Sequence, residues 1–204
     1  MEKFTCLTAT ACPLELANVD TDQLIPARFL KLSRSDGLGK VLFHDLRRDA
    51  QSNERDDFPL NQAVWREAKI LVGAANFGVG SSREAAVYAL YDHGFHCVIA
   101  TSFGDIFAQN SVKNGLLPAT VSAADITELT DMLKRNPEFA VTVDLETQTI
   151  VCGNASFAFS IAPSWREQLL NGWDEIDLTR SHQAKIRDFR ERRRDAEPWV
   201  FPGN

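Results

Sequence analysis

No stretch of the chain approaches the ~18 apolar residues of a membrane span. Met1 to Ala11 also lacks a signal-peptide core, so a cytoplasmic protein without a membrane partner is expected. The four cysteines, Cys6, Cys12, Cys97 and Cys152, form no CxxC pair and follow no secreted-domain spacing, which reads as reduced thiols. Scattered in this way, they argue against an iron-sulfur site built from this chain alone. A net charge of -6 argues against a nucleic-acid ligand but leaves small anions open as substrates. His93 and His96 flank Gly94, where a helix should stop, so they are not expected to share a helical face as metal ligands. There is no nucleophile elbow, no P-loop and no dinucleotide fingerprint, because Arg83 stands where the last needs glycine. Internal repeats and low-complexity tracts are lacking too.

What is present is a 204-residue chain of ordinary globular composition, 44% hydrophobic and 25% charged, long enough for one well-cored domain. Its most informative segment is GAANFGVGSSRE, Gly73 to Glu84. The β-branched run before it predicts a strand, and REAAVYALYDHG after it has helical spacing and a glycine stop. A strand, a glycine bend and a helix N-terminus together form an anion site, because unpaired backbone N–H groups and the positive end of the helix dipole point outward there. On this reading Gly78, Val79 and Gly80 supply the backbone of the anion site. Ser81 and Glu84 also have capping-box spacing, so a cap at Ser81 competes with a chemical role.

A strand is expected near the N-terminus, followed by a polar knot, Asn18-Val19-Asp20-Thr21-Asp22, whose side chains favour bends. Residues 33 to 61 read as a long irregular excursion with one short helix near Val41 to Arg48. His96 to Phe103 predicts a second buried strand, and Asp105 to Lys113 a helix stopped by Asn114-Gly115. Two successive strand-to-helix units predict a parallel α/β core. A helix over Asp125 to Asn136 and a β-hairpin turning near Glu146 to Gln148 complete a layered domain. The expected division is a domain over 1–173 and a helical extension and tail over 174–204. That tail carries six basic residues between Lys185 and Arg194 against two acidic ones, the composition of a solvated helix.

NVDTDQLIPARFL (Asn18 to Leu30), NFGVGSSREAA (Asn76 to Ala86), SFGDIFAQNSVKNGLLP (Ser102 to Pro118) and NGWDEIDLT (Asn171 to Thr179) occur here in order and span most of the chain. Together they resemble the bacterial 3-isopropylmalate dehydratase small-subunit family, and the glycine bend is similar to that in the swivelling domain of aconitase. The resemblance implies an α/β fold of the swivelling β/β/α type. It implies a hydro-lyase, active only with a large subunit whose 4Fe-4S cluster acts as Lewis acid, that isomerises 2-isopropylmalate to 3-isopropylmalate through an enoic diacid in leucine biosynthesis. No cofactor or metal is then expected on this chain.

Carried over by motif, Ser81 is the catalytic base and Arg83 grips a carboxylate of the small dicarboxylate substrate, a bidentate task that suits arginine. Ser82 bonds the same carboxylate or steadies Ser81, and Asp20, Thr21 and Asp22 line or brace the cleft. Val79 stands where family members often have Cys, and Ala85 where they often have His. A related hydro-lyase acting on citraconate, a methyl- or dimethylmalate or a homoaconitate-type substrate is therefore the alternative reading. A non-catalytic binding module on the same fold is the alternative of another class. Position assigns substrate selectivity to the loop from Arg28 to Asp36.

Overall fold

The computed structural model describes residues 1–201. Its strands are β1 (Cys6–Pro13), β2 (Ile70–Val72), β3 (Cys97–Ala100), β4 (Leu117–Thr120), β5 (Ala140–Asp144), β6 (Thr149–Cys152) and β7 (Ala155–Ala158). They form one sheet in the order β4-β3-β2-β1-β5-β6-β7. The β1-to-β4 half is parallel, and the remaining strands run antiparallel from β1 outward. Thr120 at the end of β4 and Ser160 beyond β7 exchange two backbone hydrogen bonds of 2.8 and 3.1 Å, so the sheet curls until its outer strands touch. The parallel α/β core and the hairpin expected from sequence are both present.

Period-two alternation divides the buried side chains of the sheet between two cores. Ile70, Val72, Cys97, Ile99, Leu117, Ala119, Val141, Val143 and Ile150 enter one core. It is covered by Ile126, Leu129 and Leu133 of α5 (Ala123–Arg135) and Leu169 of α6 (Pro163–Asn171). Cys12, Leu71, Val98 and Ala100 point the other way, onto Ala86, Val87, Ala89 and Leu90 of α3 (Glu84–His93). α4 (Asp105–Lys113) contributes to both, through Phe107 to the second core and Val112 to the first.

The excursion over 33–61 is irregular, as its composition suggests, but it is no loose loop. Short 3-10 turns and the one-turn α2 (His44–Arg47) carry Leu42, Phe43 and Leu60, all fully buried, into the α3 core. Burying each such side chain stabilises the fold by about 1.5–3 kcal/mol, which holds the segment down against its conformational entropy. A buried knot of polar groups secures it further: Arg47 Nε donates to Asn61 Oδ1 at 3.0 Å, and Asn61 Nδ2 donates back to the Arg47 carbonyl at 2.8 Å.

α7 (Glu175–Ser181) and α8 (Gln183–Ala196) have no buried residue. Lys113 Nζ lies 3.0 Å from the Glu175 carboxylate and ties the start of α7 to the end of α4. No helix among the described residues is long and apolar enough to cross a membrane.

Candidate active site

The loops that follow β1, β2 and β3 leave the carboxyl ends of parallel strands, where open α/β sheets place their ligand sites. Cross-loop backbone bonds lace the three together. Asn18 N–H donates to the Ala75 carbonyl at 2.8 Å, Thr21 N–H to Val79 at 2.9 Å, and Phe77 N–H to Ser102 at 3.0 Å. Beneath the glycine bend, Phe77 and Phe107 pack edge to face with ring centroids 5.5 Å apart. Gly78, at φ 74°, lies so close that a Cβ there would be 2.1 Å from the Phe107 ring, which excludes any side chain.

The bend itself differs from the expectation in two respects. Gly78 and Val79 do not offer their N–H groups to an anion: both donate to the Val19 carbonyl, at 2.7 and 3.2 Å. The β1 loop runs parallel to the bend, with Asp20 paired to Val79, and takes up those donors. Among the described residues the N–H groups of Gly80 and Ser82 make no hydrogen bond within the chain. The capping box at Ser81 is also not formed. α3 begins at Glu84 with Arg83 as its N-cap and no side-chain cap, so the helix N-terminus is open and the Ser81 hydroxyl is not spent on it. The Glu84 carboxylate accepts instead from Asn114 Nδ2 at 2.9 Å.

Ser81 and Ser82 are exposed and Arg83 is half-buried. Thr21, buried to 1% exposure, holds the Ser81 peptide from both sides: Ser81 N–H donates to its Oγ1, and its hydroxyl donates to the Ser81 carbonyl, each at 3.2 Å. Arg83 Nη1 pairs with Asp22 Oδ1, and the Nε and Nη2 edge has no hydrogen-bond partner among the described residues. Asp20 is engaged as the cap of the one-turn α1 (Thr21–Leu24). Its carboxylate accepts from Gln23 N–H at 2.7 Å while Gln23 Oε1 accepts from Asp20 N–H at 2.9 Å. Asp20 therefore caps α1, Thr21 fixes the Ser81 peptide, and Asp22 pairs with the arginine.

Two asparagines that residue-by-residue reading passes over also belong here. Asn18 and Asn76 both adopt left-handed backbone, at φ 55° and 56°, and Asn76 Nδ2 donates to Asn18 Oδ1 at 2.8 Å. The sequence signal was their place at the head of two of the diagnostic motifs, since Asn tolerates φ > 0 better than most residues.

The comparisons with known proteins bear on this arrangement. The aconitase C-terminal domain model matches residues 1–124, and a model described as LeuD_N matches 127–163. The 3-isopropylmalate dehydratase small subunit of Rhodospirillum centenum is 48% identical over 202 residues, covering 98% of this chain and 100% of the relative. That of Paramagnetospirillum magneticum is 47% identical over 201 residues, with 98% and 100% covered. The chain belongs to the 3-isopropylmalate dehydratase small-subunit family. A solved 3-isopropylmalate dehydratase structure from Methanocaldococcus jannaschii has the same fold, with a TM-score of 0.62 at 23% identity, covering 90% of this chain and 98% of that one.

The cysteines of this family member are not arranged to hold a cluster. Cys12 lies in one core and Cys97 and Cys152 in the other, while Cys6 is exposed. Burial pushes the Cys12, Cys97 and Cys152 thiols up, away from the thiolate form that binds iron. Among the described residues no three His, Cys, Asp or Glu side chains converge as a metal site. His93 and His96 have different partners, His93 Nδ1 the Gly39 carbonyl at 3.1 Å and His96 the Tyr91 ring. Burial pushes both imidazoles below their ordinary value.

Proposed function

We propose that this chain is the small subunit of a two-subunit hydro-lyase that interconverts 2-isopropylmalate and 3-isopropylmalate through the unsaturated diacid, in leucine biosynthesis. The observation that carries this reading is near-half identity along the whole chain to proteins named as small subunits of that enzyme. Their names favour it over the related hydro-lyases acting on citraconate or substituted malates, and over a binding module. A small subunit implies a large one, and the large subunit is where a 4Fe-4S cluster would be held. Bound there, such a cluster supplies the Lewis-acid chemistry that hydroxide departure needs.

This chain contributes the base and the grip. The proton to be removed lies next to a carboxylate and is weakly acidic, so a serine acting on it must do so as an alkoxide. Support for Ser81 in that role is its exposed hydroxyl, free of capping duty, beside the unpaired Ser82 N–H and the open N-terminus of α3. Both features stabilise a nearby anion. Asp22 leaves the Nε and Nη2 edge of Arg83 open, which fits a two-point hold on a substrate carboxylate. Ser82, exposed alongside, donates to the same carboxylate in this reading. Selectivity for the substrate side chain is assigned to Arg28–Asp36, where Leu30 and Leu32 stand 41% and 39% exposed. Arg34 anchors this loop through Asp92, at 2.7 to 3.1 Å.

The test is anaerobic reconstitution with the large subunit, following formation of the unsaturated diacid from 2-isopropylmalate and from a panel of substituted malates. Turnover of 2-isopropylmalate above the others is expected. Preference for a different diacid overturns the substrate assignment, and inactivity of an assembled, cluster-loaded complex toward every diacid overturns the enzymatic one.

A further inference from the structure

Three loops meet at one small set of side chains. Asn76, in the β2 loop, donates from Nδ2 to Asn18 Oδ1 in the β1 loop at 2.8 Å. Ser102, in the β3 loop, accepts from the Asn76 N–H at 2.9 Å and donates to Asn76 Oδ1 at 3.2 Å. The amide of Asn76 is thus the junction of all three loops. It lies at the entrance to the bend, while Thr21 holds the bend near its exit through the Ser81 peptide.

Neither asparagine packs in a core; both are exposed, and Asn76 adopts φ 56° where most residues are strained. An exposed polar side chain with no part in packing contributes little to overall stability, so what this junction determines is the mutual position of the loops. We infer that Asn18, Asn76 and Ser102 form a latch that positions the Ser81-bearing bend against the β1 and β3 loops, with Asn76 as its central positioning residue. This rests on the reading of Ser81 as the base. A displacement of about 1 Å in a reacting group costs on the order of 10²-fold in rate, which is how a latch without substrate contact acts on turnover.

The test compares Asn76→Gly with Asn76→Asp in the reconstituted complex. Glycine accepts the left-handed backbone but removes the junction. Aspartate keeps an acceptor for Ser102, and Asn18 can turn its amide to donate to the new carboxylate. Asn76→Gly is expected to lower kcat roughly 10- to 100-fold with KM changed less than about 3-fold, while Asn76→Asp stays within about 3-fold of the parent. Asn18→Gly should resemble Asn76→Gly, and the double glycine variant should be no worse than either single one, because a latch fails as a unit. Unchanged kcat in Asn76→Gly, or additive losses in the double variant, overturns the proposal.

Amide hydrogen exchange of the isolated subunit gives a readout that does not depend on the reaction. The N–H groups of Gly78 and Val79, bonded to Val19, should exchange about 10-fold faster in Asn76→Gly than in Asn76→Asp or the parent. Equal protection in all three overturns the latch even if the parent complex proves to act on another substrate. Loss of turnover in the parent with the exchange difference intact refutes the functional reading alone.

Discussion

The loop rim at the carboxyl ends of β1 to β3 and the α7–α8 tail are both polar and both solvent-facing, yet they are built in opposite ways. The rim sends Leu14, Val19 and Phe77 into the α3 core, and its polar groups are joined across segments far apart in sequence by backbone and side-chain hydrogen bonds. In the tail, apart from the Lys113–Glu175 ion pair at its start, polar contacts stay within a few residues of their origin, and no residue of either helix is buried. Surface polarity therefore says nothing about structural determination. What separates the two regions is whether a segment's hydrogen-bonding groups are satisfied locally or by distant partners, and long-range satisfaction is what a reacting group needs to hold its place.

The sharpest way to break the rim is at the proposed base. Ser81→Ala in the reconstituted complex should lower kcat by about 10³-fold or more while the isolated subunit melts as before, since general-base contributions reach roughly 10²–10⁴. Activity within 2-fold of the parent, on the order of assay error, removes Ser81 from the mechanism. Arg83→Lys keeps the charge but loses the planar fork, and kcat/KM should fall on the order of 10- to 100-fold, chiefly through KM. Steady-state kinetics separates this from a fall in kcat alone, which would place Arg83 away from the ground-state carboxylate.

Thr21→Val tests the brace. It leaves the Ser81 N–H and carbonyl without their buried partner, a loss of about 1–2 kcal/mol and roughly 3–6 °C in melting temperature. An unchanged melting curve would show that the brace contributes nothing. A smaller effect is expected from pH. Burial lowers the folded-state pKa of His93 and His96, so the unfolded chain binds more protons and stability falls as pH drops through the ordinary histidine range. His93→Gln should flatten that slope between roughly pH 7 and 5.5, read by calorimetry. The carboxylates held low by hydrogen bonds, Asp45 at about 2 through Arg28 and His44, carry the further loss at more acid pH. Smallest of all, deleting 183–204 should shift the melting temperature of the subunit by less than about 2 °C, for want of buried area in α8. A large shift would show that the tail is part of the fold.

Local signals were read well where they were self-contained. α4 occupies Asp105–Lys113, as its spacing and Asn-Gly stop predict, because both signals lie within the segment. β4 was hidden by Pro118, which removes a ladder donor, yet it is tolerated because β4 is an outer strand of the sheet. β7 is not legible because alternation over Ile150 to Ile161 reads as a single second strand of the hairpin, whereas a turn at Gly153, φ 54°, divides it into two. Residue types alone mark the glycine bend and its neighbours as a candidate site. Which N–H groups are free is not legible there, since Val19 of the β1 loop takes those of Gly78 and Val79, and no local pattern carries that information.

The contact between Thr120 and Ser160 has a consequence for the life of the unassembled chain. Where Thr120 and Ser160 pair, the sheet offers no open edge on which another chain could add a strand, and Pro118 removes a donor from β4 beside it. A chain of a small-subunit family has, before it meets a large subunit, only its own fold to protect its strand edges. At that corner the curl denies other copies of the chain the pairing surface that a flat sheet would offer them.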